Sequence, residues 1–284
     1  MSFSNRMRWN AAGLGSLLRG RFRRISDSKT HFSTLTPWSN NYFHWMTEAA
    51  PKFLLFSEEL GKGTIIVPKG LLRSAHEFLE LFGFNDLLTV EENIAFGQLK
   101  VVSNPNTNHY LPEHIRLVRE SLIQKIKPGP AGQRRRIYVS RKLARGRRVA
   151  NEEELLEVIA DLGFECVHLD DATLQDQVNM FSNCEILISI HGAALTNAIF
   201  MPGGSSLVEI YPAVGDPVRD VSRCFSRLCQ LIDVDHQFLF SERRGNKKTA
   251  DLDSDDLIAD PRSVRDLILS ISRPIKRSVG SGAH

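Results

Sequence analysis

The sequence predicts an α/β protein whose second half carries a parallel sheet, and three observations point there. Ile186–Phe200 reads ILISIHGAALTNAIF: an apolar β-branched run stops at a His-Gly pair and small residues then open a helix. From Arg136 onward, strand-length apolar runs alternate with amphipathic helical stretches, the pattern of βαβ units. Lys127–Gln133, KPGPAGQ, concentrates Pro, Gly and small residues between two differently patterned halves, as a linker does.

In the first half, Asn41–Leu60 reads as partly helical, with Pro51 as a kink or boundary. Thr64–Val67 is a short strand ending at Pro68. Leu71–Phe82 has helical amphipathicity and is closed by Gly83. Leu99–Ser103 reads as a strand, and Pro112–Ile126 as a helix with Pro at its first position. In the second half, strands are expected at Arg136–Ser140, Glu165–Leu169, Glu185–Ile190, Ser205–Ile210 and Leu231–Val234. Helices are expected at Glu152–Leu162, Leu174–Asn183 and Val264–Ile271. Ser241–Asp260 is polar and reads as a loose surface segment. The resulting division is a basic leader over residues 1–30, a small α/β domain over 31–127, a second domain over 134–240, and a polar segment with a closing helix over 241–284.

The 284 residues suit one large domain or two small ones. Hydrophobic residues at 42% and charged residues at 24% are ordinary for a globular protein. A net charge of +3 selects no class of partner, but its distribution is uneven. Arg134–Arg148 holds eight Arg and Lys and no acid; Arg6, Arg8, Arg19, Arg21, Arg23, Arg24 and Lys29 make the leader basic. Such runs attract phosphates, nucleic acid or an anionic membrane. No stretch is apolar over the roughly 18 residues that a spanning helix needs, and the start lacks the apolar core of a signal peptide. The leader is therefore read as disordered or as lying on a membrane surface. Cys166, Cys184, Cys224 and Cys229 lack CxxC spacing and are expected as free thiols of a reducing compartment.

Ligands of open parallel sheets bind outside the carboxyl ends of the strands. The residues just past those ends are Arg141, Asp170, Asp171, His191, Gly192 and Tyr211, with Glu209 slightly earlier. A tight turn of His191, Gly192, Ala193 and Ala194 at a helix start offers backbone N–H groups and a positive dipole end to a phosphate or diphosphate. It lacks both the dinucleotide glycine spacing and the GK[ST] of a P-loop. Gly192 allows close backbone approach or positive φ. Arg141, directly after a strand, suits a bidentate grip on phosphate oxygens; Arg148 is the second choice, and Arg134, Arg135 and Lys142 read as surface charges. Asn197 has two open roles, bonding the turn backbone or bonding ligand. Glu209, near the end of an apolar strand, needs a partner: sugar hydroxyls, or an internal Arg.

In the first half, Asn41, His44 and Glu48 fall on one helical face at i, i+3 and i+7. A carboxylate beside an imidazole makes a general base; the alternative is a helix N-terminus with satisfied polar groups. Asp233-Val234-Asp235 and Asp251-Leu252-Asp253 have DxD form, but so short a match is unspecific, and no metal site is assigned. No GxSxG, HExxH or Cys/His cluster occurs. His109 and His114 read as surface residues beside a helix start.

The segments NYFHWMTEAAPK, RIYVSRKLARGRRVANEEEL, GFECVHLDD, Gln177 and ISIHGAALTNAIFMPGGSSLVEIYP together resemble the signature of glycosyltransferase family 61. Bacterial members are often labelled capsular or exopolysaccharide biosynthesis proteins. The likeness covers most of Asn40–Pro212. It implies a GT-B fold, two Rossmann-like domains facing across a cleft, and inverting transfer from a nucleoside diphosphate sugar without an obligatory metal. No cofactor is implied beyond the donor, for which a UDP-sugar is the expectation. The acceptor is a glycan or lipid-linked saccharide. On this reading Arg141, Arg148, His191, Gly192, Ala193, Ala194, Asn197 and Glu209 bind the donor. Glu48 or His44 takes the acceptor proton, with Asn41 on the acceptor side. The short chain and unanchored leader imply a bacterial cytoplasmic enzyme, working at the inner face of the membrane if the leader binds there. The rival readings are an inactive nucleotide-sugar-binding scaffold of polysaccharide assembly and a nucleic-acid binder. The latter lacks aromatic residues interleaved with the basic ones.

Overall fold

The computed structural model describes residues 23–34, 36, 38–91, 94–102, 110–129, 132, 134–144, 146–213, 222–244 and 255–272. The first 22 residues of the leader, Ser103, His109 and Asp251-Leu252-Asp253 lie outside them. The chain divides into two compact units, Met1–Lys127 and Pro128–His284, both α/β with parallel sheets.

The first unit is built from β1 (Arg23–Ile25), β2 (His31–Ser33), β3 (Thr64–Pro68), β4 (Leu87–Val90), β5 (Ile94–Phe96) and β6 (Leu99–Val101). A four-stranded sheet has the order β4-β3-β2-β6, and β1 pairs with β5 alone. Every pairing is parallel. Arg23–Ile25, assigned from sequence to the leader, is thus a strand. Trp45, Phe53, Phe78 and Phe84 interlock in the core, with Trp45 and Phe53 centroids 5.6 Å apart and Phe53 and Phe84 5.2 Å apart. Such rings supply large apolar burial and tolerate tilted or edge-on contact.

The helical stretch expected at Asn41–Leu60 is broken into pieces. Asn41 is an N-cap in extended backbone, its side-chain oxygen accepting from the Phe43 N–H at 2.9 Å. Then come α1 (Tyr42–His44), a π-helix (Trp45–Ala49), α2 (Ala50–Leu55) and α3 (Ser57–Leu60). Pro51 stands in the first turn of α2. In a continuous α-helix its ring would meet the Thr47 carbonyl, and it has no N–H to give. The π-helix widens the preceding turn, with the Ala50 N–H bonded to the Trp45 carbonyl, and so accommodates the proline. Next, α4 (Arg73–Leu81) ends before Gly83, whose φ of 81° is a left-handed conformation open to glycine. The final helix, α5 (Pro112–Ile126), runs between the residues read from sequence.

The second unit holds β7 (Arg135–Val139), β8 (Phe164–Val167), β9 (Cys184–Ile190), β10 (Ser206–Pro212), β11 (Asp235–Arg244) and β12 (Asp256–Ile258), in sheet order β12-β11-β10-β9-β7-β8. All pairs are parallel except β11 with β12. Its helices are α6 (Glu152–Ala160), α7 (Leu174–Phe181), α8 (Cys224–Leu231) and α9 (Pro261–Ile271). On one sheet face Tyr138, Ile186, Ile188, Val208, Ile210 and Leu239 form a core with α6 and α9. Two expectations are corrected here. Leu231–Val234 is not a strand; it is the end of α8 and a turn, and the strand follows at Asp235. Ser241–Asp260 is not uniformly loose, because β11 continues to Arg244 and Asp256–Ile258 pairs with it. The four cysteines are free, with Cys184 and Cys229 buried.

Candidate active site

The strands of the second unit deliver their ends to one place. Tyr138 OH and Ser140 Oγ each donate to Oε1 of buried Glu152 at 2.8 Å, which ties the end of β7 to the start of α6. The chain then turns, and Arg141 follows. Its Nε donates to the Arg147 carbonyl at 3.2 Å. Its guanidinium lies against Gly192: a Cβ built at residue 192 would stand 2.7 Å from Arg141 Nη1. Gly192 has φ of 169°, extended backbone that any residue adopts. The positive-φ reading of this glycine is therefore corrected; its requirement is close approach.

Arg147 completes this wall. It stands at φ 55° and its Nη1 donates to the His191 carbonyl at 2.8 Å. Burial lowers the Arg141 pKa from its ordinary value, the like charge of Arg147 adds to this, and Asp170 opposes it. Two neighbouring guanidiniums, one of them partly desolvated, gain from a bound anion.

After His191 and Gly192, Ala193–Phe200 forms a 3₁₀-helix, tighter than the α-helix a small-residue run suggests. No side chain caps its start, and His191 through Ala194 are partly accessible. Asn197 does not face outward. It is fully buried, its Nδ2 donating to Gln177 Oε1 at 3.0 Å and to the Ala194 carbonyl at 3.2 Å. Of its two readings, the one bonding the turn backbone describes it.

Glu209 is fully buried on β10, and its partners are two imidazoles rather than an arginine. One oxygen accepts from His191 Nδ1. The other accepts from His236 Nε2 at 2.8 Å, and His236 Nδ1 meets Ser226 Oγ at 3.0 Å. Burial raises the Glu209 pKa, but the two imidazole hydrogen bonds outweigh it, and the carboxyl sits below its ordinary value. The rings of Tyr211 and Phe225 stand edge-on to His191, with centroids at 5.0 and 5.5 Å. His236 and Arg147 were not singled out from sequence. His236 lies on a strand with polar alternation, and Arg147 is one of several arginines in a loop.

Arg148 is placed elsewhere. Its Nη2 pairs with Asp256 Oδ2 at 2.9 Å, and its backbone N–H donates to Asp256 Oδ1 at 2.9 Å. The donor-binding expectation for Arg148 is corrected to a link between the loop and the β12 edge.

In the first unit, His44 Nδ1 and Glu48 Oε1 are 2.7 Å apart. Glu48 is buried in the π-helix, and the exposed Trp38 stacks on the His44 ring at 5.9 Å. Lys52 is buried one turn on; burial lowers its pKa while Glu48 works to raise it. Asn41 is the N-cap, just outside the helix, with its side chain bonded to the Phe43 N–H.

Among the described residues, no group of three or more His, Cys, Asp and Glu has metal-holding geometry. Nor is any described helix long and apolar enough to cross a membrane.

Comparison with known proteins adds sequence relationships to this geometry. The family model described as Glycosyltransferase 61 matches residues 42–208, more than half of the chain. The cattle (Bos taurus) "Protein O-linked-mannose beta-1,4-N-acetylglucosaminyltransferase 2" is 33% identical over 114 residues, 39% of this chain and 19% of that protein. "Alpha-1,3-arabinosyltransferase XAT3" of rice (Oryza sativa subsp. japonica) is 32% identical over 75 residues, 25% of this chain and 13% of the relative. The rice beta-1,2-xylosyltransferase XAX1 is 23% identical over 221 residues, 65% of this chain and 39% of the relative. The chain thus spans well under half the length of these relatives.

Proposed function

The chain belongs to the Glycosyltransferase 61 family, and from that premise we propose that it moves a sugar from a nucleoside diphosphate sugar to a glycan hydroxyl, inverting the anomeric carbon. The supporting observation is the contact of Arg141 with Gly192, beside Arg147 and His191, at the carboxyl ends of parallel strands. Those groups stand beside a 3₁₀-helix start whose first residues are partly accessible and carry no side-chain cap, an arrangement suited to a diphosphate.

As the glycosidic bond breaks, its electron pair stays with the diphosphate, whose negative charge grows. Preformed cations there stabilise the transition state more than the ground state. Arg141 and Arg147 supply that charge, so the proposed reaction needs no metal. The acceptor oxygen attacks the anomeric carbon from the face opposite the leaving diphosphate and passes its proton to the His44–Glu48 pair. One displacement with no covalent intermediate gives inversion. The reading includes a GT-B arrangement of the two units, a UDP-sugar donor and a saccharide acceptor of capsular or exopolysaccharide type. Free cysteines agree with a cytoplasmic setting.

A thermal-shift screen of UDP-, GDP- and CMP-sugars tests the donor, since binding to the folded state raises Tm by mass action. We expect a shift with one nucleoside diphosphate sugar, then release of its diphosphate on adding a saccharide acceptor, at a rate EDTA leaves unchanged. No shift with any of them would overturn the reading. Binding without transfer would make the chain a nucleotide-sugar-binding scaffold, and loss of rate in EDTA restored by manganese would overturn metal independence.

A further inference from the structure

A row of three rings leads away from the anion-facing turn. The His191 N–H bonds to the Ile210 carbonyl at 2.9 Å, which sets His191 level with Tyr211 at the end of β10. In the parallel register Tyr211 stands opposite Phe240 of β11. Side chains alternate along a strand, so His236, Phe238 and Phe240 share one face of β11, while Leu239 joins the core with α6 and α9 on the other. The row His191, Tyr211, Phe240 thus crosses β9, β10 and β11, which are neighbours in the sheet. Tyr211 is edge-on to both of the others, with centroids 5.0 Å from His191 and 6.4 Å from Phe240.

Phe240 is 43% exposed, and no other Phe or Tyr among the described residues of the second unit is exposed. Its ring stacks on Phe238, centroids 5.6 Å apart and planes 18° apart. Phe238 in turn meets the Tyr211 and His236 rings edge-on at 5.6 and 4.5 Å. One flat side of Phe240 is therefore turned to Phe238, which leaves the opposite flat side as the open one.

We propose that Phe240 is the platform on which the base of the donor nucleotide stacks. This rests on the donor reading above and adds a nucleobase subsite to it. From β9 to β11 is two strand spacings, roughly 10 Å, a span that a ribose and its phosphates bridge. A diphosphate held at the turn can thus lay its base on the Phe240 ring. Every base has a π-face, so an aromatic ring gives affinity without a hydrogen-bond code. Phe238 and Tyr211 already hold the ring, so little freedom is lost when a base settles on it. A single exposed apolar side chain is ordinary on a protein surface. Phe240 differs because it ends a packed aromatic column that adjoins two guanidiniums and a helix start.

The test is calorimetry on the full chain with UDP, GDP, CDP and inorganic pyrophosphate, comparing wild type, F240A, F240L and F240W. F240A and F240L should bind the nucleoside diphosphates about tenfold more weakly. F240W, which keeps a flat aromatic face, should stay within about twofold of wild type. Pyrophosphate has no base, and its affinity should be the same in all four proteins. Unchanged nucleoside diphosphate affinity in F240A overturns the proposal, as does F240L binding like wild type or F240W failing like F240A. An equal loss for pyrophosphate also overturns it, because the substitution would then have damaged the anion site. Where pyrophosphate binds too weakly to compare, the contrast of F240L with F240W decides. Wild type that binds none of the four ligands overturns the donor reading itself, an outcome distinct from a wild type that binds UDP, GDP or CDP regardless of residue 240.

Discussion

Arg141 Nη1 occupies space that any side chain at residue 192 would need, 2.7 Å from the position of a Cβ there. The backbone at Gly192 is extended and unstrained, so its conformation does not explain the glycine; the guanidinium beside it does. A methyl group at 192 would displace the end of a flexible side chain, which costs the fold little and costs the site its geometry. G192A should melt within a few degrees of wild type. Its affinity for the nucleoside diphosphate should fall about tenfold, measured by calorimetry beside a thermal melt.

Two arginines of the same loop should behave differently. R141A removes a partly buried guanidinium from the anion site and should weaken nucleoside diphosphate binding by about 10- to 100-fold. R148A removes the pair with Asp256 and should leave that affinity within about twofold. Equal losses in both variants would return Arg148 to the site.

E48Q should separate binding from chemistry. The amide still fits beside His44, so nucleotide affinity should stay near wild type. Transfer should drop by about 10²- to 10⁴-fold, the usual contribution of a general base. Steady-state rates with the donor found by thermal shift would measure this, and full activity would eliminate Glu48 as the base.

Glu209 also sets a pH dependence. Its carboxyl is held below its ordinary value of 4.5, so the folded state binds the ionised form better than the unfolded state does. That contribution is complete above 4.5, and it is lost as pH falls through the lower folded value. The Tm of wild type should therefore fall more steeply below pH 4.5 than that of E209Q, which should start lower at neutral pH. Parallel melting curves across that range would show that Glu209 is not so held.

Much of the second unit was legible because β7, β9 and β10 each carry a buried, largely apolar stretch, at Ile137–Val139, Ile186–Ile190 and Leu207–Tyr211. Helix α5 was legible to the residue because Pro112 marks its first turn. Strands β1, β2, β4 and β5 have only three or four residues each, too few for periodicity to register. The last long strand was misplaced because the apolar pair Leu231-Ile232 closes α8, while Asp235–Arg244 is a half-polar run. That error hid His236. Its partnership with Glu209 depends on the parallel register that sets Glu209 opposite Phe238, which local sequence does not state. Arg147 was hidden by a different cause: in a loop crowded with guanidiniums, which one turns inward is set by backbone angles rather than by residue type.

The π-helix at Trp45–Ala49 fixes the angular phase between His44, before it, and α2, which begins at Ala50. An α-helix turns about 100° per residue, and the wider π-helix somewhat less. Deleting the codon for Trp45, Met46 or Thr47 would rotate the imidazole away from its carboxylate while leaving both groups chemically intact, so this dyad is more vulnerable to a change in length than to most changes in composition.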